Sequence, residues 1–68
     1  MKKVRLQLVG LDSNAFSIMG AWRRAANRQG WTVAEMDAVI AEAMNGDYHH
    51  LLSTIANHTE DIDDDEND

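Results

Sequence analysis

The sequence predicts a mixed α+β fold: one N-terminal β-strand followed by a three-helix bundle, with a disordered acidic C-terminal tail. Three observations carry this. Residues 3–9 alternate apolar and polar side chains, the period of a strand with one buried face. Three later segments repeat apolar residues at steps of three and four, the period of one helical face. Residues 60–68 hold seven acids among nine positions, a like-charge block that repels itself and has too few apolar groups to fold. The 68 residues thus divide into one small domain, 1–59, and an acidic tail, 60–68.

In the strand, Val4, Leu6 and Leu8 face inward while Lys3, Arg5 and Gln7 face out. No other segment reads clearly as its partner, which leaves a row of open N–H and C=O groups. Two repairs exist. The same strand of a second copy can pair with it, giving a symmetric homodimer, or the end of the chain around 60–64 can fold back beside it. Fold-back is the favoured reading, because it sets Asp61, Asp63 and Asp64 near Lys3 and Arg5.

The first helix, 14–29, carries its stripe on Ala15, Ile18, Met19, Trp22, Ala25 and Ala26. Asp12 or Ser13 is the expected N-cap, and Gly30 the left-handed residue that ends the helix. Gly20 lies mid-helix at a cost of about 1 kcal/mol against alanine, so another backbone, the strand, is expected to approach it. The second helix opens on the most specific local signal in the chain. Thr32 and Glu35 form a capping box, and Trp31 with Met36 a hydrophobic staple. Its expected core face is Val33, Met36, Val39, Ile40, Ala43 and Met44, and Gly46 is the expected left-handed stop. Asp47 caps the third helix, whose stripe is Tyr48, Leu51, Leu52, Ile55 and Ala56. The bundle is expected to close around Trp22, Met19, Ile40, Leu51, Leu52 and Ile55.

Composition narrows function mostly by exclusion. There is no cysteine, so disulfides and thiolate metal sites are ruled out. No apolar run approaches the ~18 residues of a membrane helix, and no signal-peptide pattern follows the N-terminal lysines. A cytoplasmic location and no membrane partner are expected. Net charge is −6, with all six basic residues before Gly30 and eleven acids after it. That sign excludes a general nucleic-acid binder.

Catalytic and metal chemistry find little support. His49 and His50 point about 100° apart on a helix, and His50 and His58 lie two turns apart, so no metal site or cofactor is expected. Aspartates at 61, 63 and 65 follow the start of a calcium loop, but Glu66 stands where that loop needs glycine. Ser13, Ser17 and Ser53 have no evident base. Arg23, Arg24 and Arg28 form a basic flank on the first helix, which reads as a solvated face. Trp22 and Trp31 read as core. The expectation is a protein that is not an enzyme.

The acids remain. Glu35 and Glu42 lie two turns apart on one outward face, Asp37 flanks the core stripe, and Asp47 follows at the next cap. The tail adds Glu60, Asp61, Asp63, Asp64 and Asp65, with Glu66 and Asp68 beyond. One reading is solubility alone. The sharper one is that these carboxylates imitate the phosphate rows of duplex DNA, about one charge per 1.7 Å of axis, and occupy a basic groove built for it.

Two motifs stand together in this chain: Gly10-Leu11-Asp12-Ser13-Asn14-Ala15-Phe16 and Gly46-Asp47-Tyr48-His49-His50-Leu51-Leu52. They resemble the paired G-x-D-G-N-A-F and G-D-Y-D-H-L-L signatures of a widespread family of small bacterial and phage proteins. The resemblance spans residues 3–58 and departs at Ser13, where glycine is usual, and at His49, where aspartate is usual. That family has no assigned activity, so the resemblance implies a shared fold and no mechanism. Its setting in phages and mobile elements implies a class of function. Small, acidic, cysteine-free proteins of such elements are similar in character to DNA-mimicking inhibitors, anti-CRISPR proteins among them. The expected function is therefore a stoichiometric, non-catalytic inhibitor that presents Glu35, Asp37, Glu42, Asp47 and the acids from Glu60 onward to a basic nucleic-acid-binding protein. A bacterial CRISPR effector complex is the most concrete partner of that kind. The alternative is a small structural or regulatory module that homodimerises through residues 3–9.

Overall fold

A computed structural model describes residues 2–8 and 10–62. Its elements are β1 (Val4–Leu6), α1 (Ala15–Arg28), α2 (Val33–Ala43), α3 (Tyr48–Asn57) and β2 (Thr59–Asp61). The expected strand and three-helix bundle are present, and the returning chain adds the second strand. Expectations for Val9 and for the tail beyond Ile62, including Asp63, Asp64 and Asp65, lie outside the described residues.

β1 and β2 pair in parallel, with Val4 opposite Thr59, Arg5 opposite Glu60 and Leu6 opposite Asp61. A parallel pair needs a long crossover, and here all three helices form it. β1 is shorter than its alternating pattern because its partner is short. The ladder closes between Val4 N–H and the His58 carbonyl at 2.8 Å, and between Ile62 N–H and the Leu6 carbonyl at 3.4 Å. Beyond that, the Asp61 carboxylate accepts Leu8 N–H at 3.0 Å. Glu60 and Asp61, grouped by composition with the tail, thus belong to the sheet.

The opposite edge of β1 is closed by a side chain. The Gln29 amide accepts Arg5 N–H at 2.9 Å and donates to the Arg5 carbonyl at 2.8 Å. One glutamine thereby does what a neighbouring strand would do for a single residue, which blunts an edge otherwise open to pairing.

Trp22, Val4 and Ile55 are the large side chains almost wholly removed from water, and Met19, Trp31, Met36, Val39 and Leu51 pack around them. Trp22 and Trp31 meet edge to face, centroids 5.1 Å apart. The Trp22 indole N–H donates to the His58 carbonyl at 3.3 Å, the same oxygen that receives Val4 N–H. One carbonyl at the end of α3 therefore ties together both strands and α1. Thr54 and Thr59 are buried without penalty, since each hydroxyl donates to the carbonyl four residues earlier, at 2.8 and 2.6 Å.

The loops correct several expectations. Asn14, rather than Asp12 or Ser13, caps α1, its side chain accepting Phe16 N–H at 2.8 Å. Asp12 accepts Asn14 N–H one step earlier, a turn that presents the true cap. α1 ends as expected at Gly30, with φ +90°. Trp31 N–H returns to the Ala26 carbonyl and Gly30 N–H to that of Asn27, the paired bonds of a Schellman motif. The capping box of Thr32 and Glu35 forms in full.

Gly46 does not take the left-handed conformation; Gly10 does, at φ +90°. Gly46 is small for a steric reason, because a Cβ there would lie 2.9 Å from Cβ and Cγ of His50. No other element's backbone crowds Gly20: a Cβ there would meet only the Arg24 guanidinium, at 3.4 Å. Val33, Met44 and Leu52, placed in the core by periodicity, are exposed. Leu51 and Leu52 project about 100° apart, so only Leu51 reaches the core, and Thr54 takes the interior position instead.

Candidate interaction surfaces

The described part of the chain is almost neutral. Residues 1–62 carry seven acids against six basic residues, and five further acids lie in 63–68. Most carboxylates among the described residues are engaged locally. Glu35 receives Lys2 Nζ at 2.9 Å and Thr32 N–H at 2.8 Å. The Thr32 backbone bond first, and Lys2 second, hold its carboxyl below the ordinary value of 4.5. Lys2 also sits 4.8 Å from the centre of the Trp31 ring, a cation over an aromatic face. Asp37 meets Arg23 at 2.9 Å.

Glu42 and Asp47 converge on His50. Its Nε2 lies 3.0 Å from the Glu42 carboxylate and 2.9 Å from the Glu42 carbonyl. Both are acceptors, so Nε2 carries the proton. Asp47 accepts His50 N–H at 2.9 Å as the cap of α3. Of the acids expected to act together, the fold brings Glu42 to Asp47 and sets Glu60 beside Asp61 on β2. Glu35 and Asp37 are each turned to a cation outside α2, Lys2 ahead of β1 and Arg23 on α1. Asp63, Asp64 and Asp65 lie outside the described residues. Among the described residues no group of three His, Asp or Glu could hold a metal ion, and no helix is long and apolar enough to cross a membrane.

Sequence reasoning missed an apolar surface. Phe16, Met44, Tyr48 and Leu52 are all exposed, Phe16 at 77%. They border two shallow hollows that share Tyr48 as a wall. The first, about 340 Å³, is lined chiefly by Leu8, Leu11, Ile18, Tyr48, Leu52 and Ile55, with Asp12 and Ser13 at its lip. The second, about 300 Å³, lies between Phe16, Met19, Met44, Tyr48 and Leu51, with Asp47 at its lip. The two motifs quoted above meet at this wall, where the Tyr48 hydroxyl donates to the Ser13 carbonyl. A signal was present in the composition: the second and third helices carry more apolar residues than one stripe can bury.

The fold and these surfaces define a small α+β domain with one apolar face and a strongly acidic C-terminal run. No family model, curated protein or solved structure matches the chain.

Proposed function

We propose that this protein is a non-catalytic, stoichiometric binder of a basic, nucleic-acid-binding protein in the bacterial cytoplasm. The observation that supports it is the segregation of charge. Residues 1–59 carry five acids against six basic residues, while 60–68 carry seven acids and no basic residue. A dense carboxylate run steers association with a basic groove and competes for it with the phosphates of duplex DNA. In its sharpest form this is DNA mimicry of the phage or mobile-element kind, with a CRISPR effector complex as target. The binding charge then resides in Glu60, Asp61, Asp63, Asp64 and Asp65 more than in Glu35 and Asp37, which Lys2 and Arg23 already offset, or in Glu42, which lies against the His50 ring.

The test is a pull-down from bacterial lysate at low and high salt, with duplex DNA as competitor. Two full-length variants accompany the wild type: one with Asp63, Asp64 and Asp65 changed to Asn, the other with Glu35→Gln, Asp37→Asn and Glu42→Gln. The expected result is capture of a nucleic-acid-binding protein that salt and DNA displace, lost in the first variant and kept in the second. Capture indifferent to salt, to DNA and to the tail would sink the reading. Homodimerisation through residues 3–9 gains no support from the geometry, since β2 pairs one edge of β1 and Gln29 occupies Arg5 on the other.

A further inference from the structure

We propose that the hollow walled by Leu11, Tyr48 and Leu52 is the anchor site for that partner, taking an apolar side chain from a basic amphipathic segment. The inference rests on the basic-partner reading and adds a second, apolar contact to it. An exposed, contiguous apolar face on a small protein marks an interaction site, and a helix laid into such a groove is a recurrent mode of recognition. At about 340 Å³, the hollow stands at the lower end of the range of about 300–1,000 Å³ typical of binding pockets. That suits an anchor residue.

Charge selects the occupant. No lysine or arginine lines either hollow, while Asp12 stands at the lip of the first and Asp47 at that of the second. Asp61, bound to Leu8 N–H, adds a third carboxylate where the first hollow meets the sheet. A second copy of this chain would bring acids against acids in a symmetric contact. A partner segment with lysines or arginines flanking its apolar anchor meets all three carboxylates favourably. The desolvated anchor then supplies affinity, and the rim charges supply orientation and rate.

The experiment titrates the ¹⁵N-labelled full chain with three fluorescein-labelled helical peptides. One is built of Lys, Ala and Leu, with leucines at three- and four-residue steps. The second has each Leu replaced by Ala, and the third each Lys by Glu. The first is expected to move the amide signals of Leu11, Tyr48 and Leu52. The second should bind about tenfold more weakly, the worth of a buried leucine. Leu52→Glu adds a charge that attracts lysine, so the matching loss of about tenfold expected of it can only come from the hollow. Val33→Glu, the same change at an exposed site outside both hollows, should lose nothing. Ala56→Glu, at the same hollow, serves if Leu52→Glu fails to fold.

The proposal is overturned if signals move only within 60–68, if the alanine peptide binds as tightly as the leucine peptide, or if folded Leu52→Glu or Ala56→Glu binds as wild type. Signals confined to 60–68 would leave the basic-partner reading standing. Equal binding of the glutamate peptide would instead remove the basic partner, and the charge selection argued above with it.

Discussion

The two ends of the helical bundle are built on opposite plans. Where α1 gives way to α2, polar and apolar requirements are met within the chain. Trp22 and Trp31 pack edge to face, Gly30 and Trp31 close the Schellman bonds, Thr32 and Glu35 cap each other, and Lys2 sits over Trp31 while pairing with Glu35. Gln29 seals the strand beside them. Where α2 gives way to α3, Met44, Tyr48 and Leu52 stand in water beside Phe16. The first end holds the domain together, and the second exposes apolar area that adds little to its stability. In a domain this small, whose whole stability amounts to a few kcal/mol, apolar residues left outside the core are a substantial sacrifice. The difference teaches that the contacts that stabilise this fold are concentrated at one end of the bundle.

The contrast breaks most visibly with Trp22→Ala beside Phe16→Ser. The first removes a fully buried indole of α1 that packs on Trp31 and bonds the His58 carbonyl, costing about 3–5 kcal/mol, and should abolish the cooperative melt in circular dichroism. The second, at an exposed site, should stay within about 0.5 kcal/mol of wild type. Comparable losses would mean that the open end is structural after all. Gly46→Ala is next. Its methyl group would collide with His50 near the backbone of α3, so a loss of about 1–3 kcal/mol is expected in urea unfolding, with the amide signals of Glu42 and His50 displaced. An unchanged midpoint would show that α3 shifts freely. Gln29→Ala should cost about 1 kcal/mol and expose the Arg5 edge. Sedimentation of this variant should reveal self-association absent from wild type, and a monomer at high concentration would mean the edge needs no guard.

The smallest expected effect concerns Glu35. Its carboxyl is held below the ordinary 4.5 by the Thr32 amide and by Lys2. A lowered folded-state value adds stability above the ordinary carboxylate range, and that stability drains away as pH falls through the folded value. The gap in melting temperature between wild type and Glu35→Gln should therefore narrow from neutral pH to well below 4.5, and narrow again in high salt. A gap constant across that range would assign the stabilisation to packing.

What was legible in the sequence was local. The capping box, Gly30 and the period of each helix are written within a few residues, so periodicity and cap chemistry reveal them. Asn14 was missed because three capping residues stand in a row and only the helix start chooses among them. Gly46 looked like a left-handed stop, yet its reason is a ring four residues later. Gln29 gave no signal, since its partner lies twenty-four positions away. For the same reason the acids could be counted but not their partners: Lys2 lies thirty-three residues from Glu35, and Arg23 reaches Asp37 from another helix. The apolar face was hidden by the assumption that every periodic apolar residue is core.

The parallel sheet has a mechanical consequence. Chain enters at the start of β1 and leaves at the end of β2, and the two strands run the same way. Tension on the flanking segments pulls the strands past each other along their length. The Val4–His58 and Leu6–Ile62 bonds, with the Asp61 clasp on Leu8, then bear load together instead of opening one at a time. Force applied beyond Ile62 meets this shear-loaded clasp before it reaches the helices.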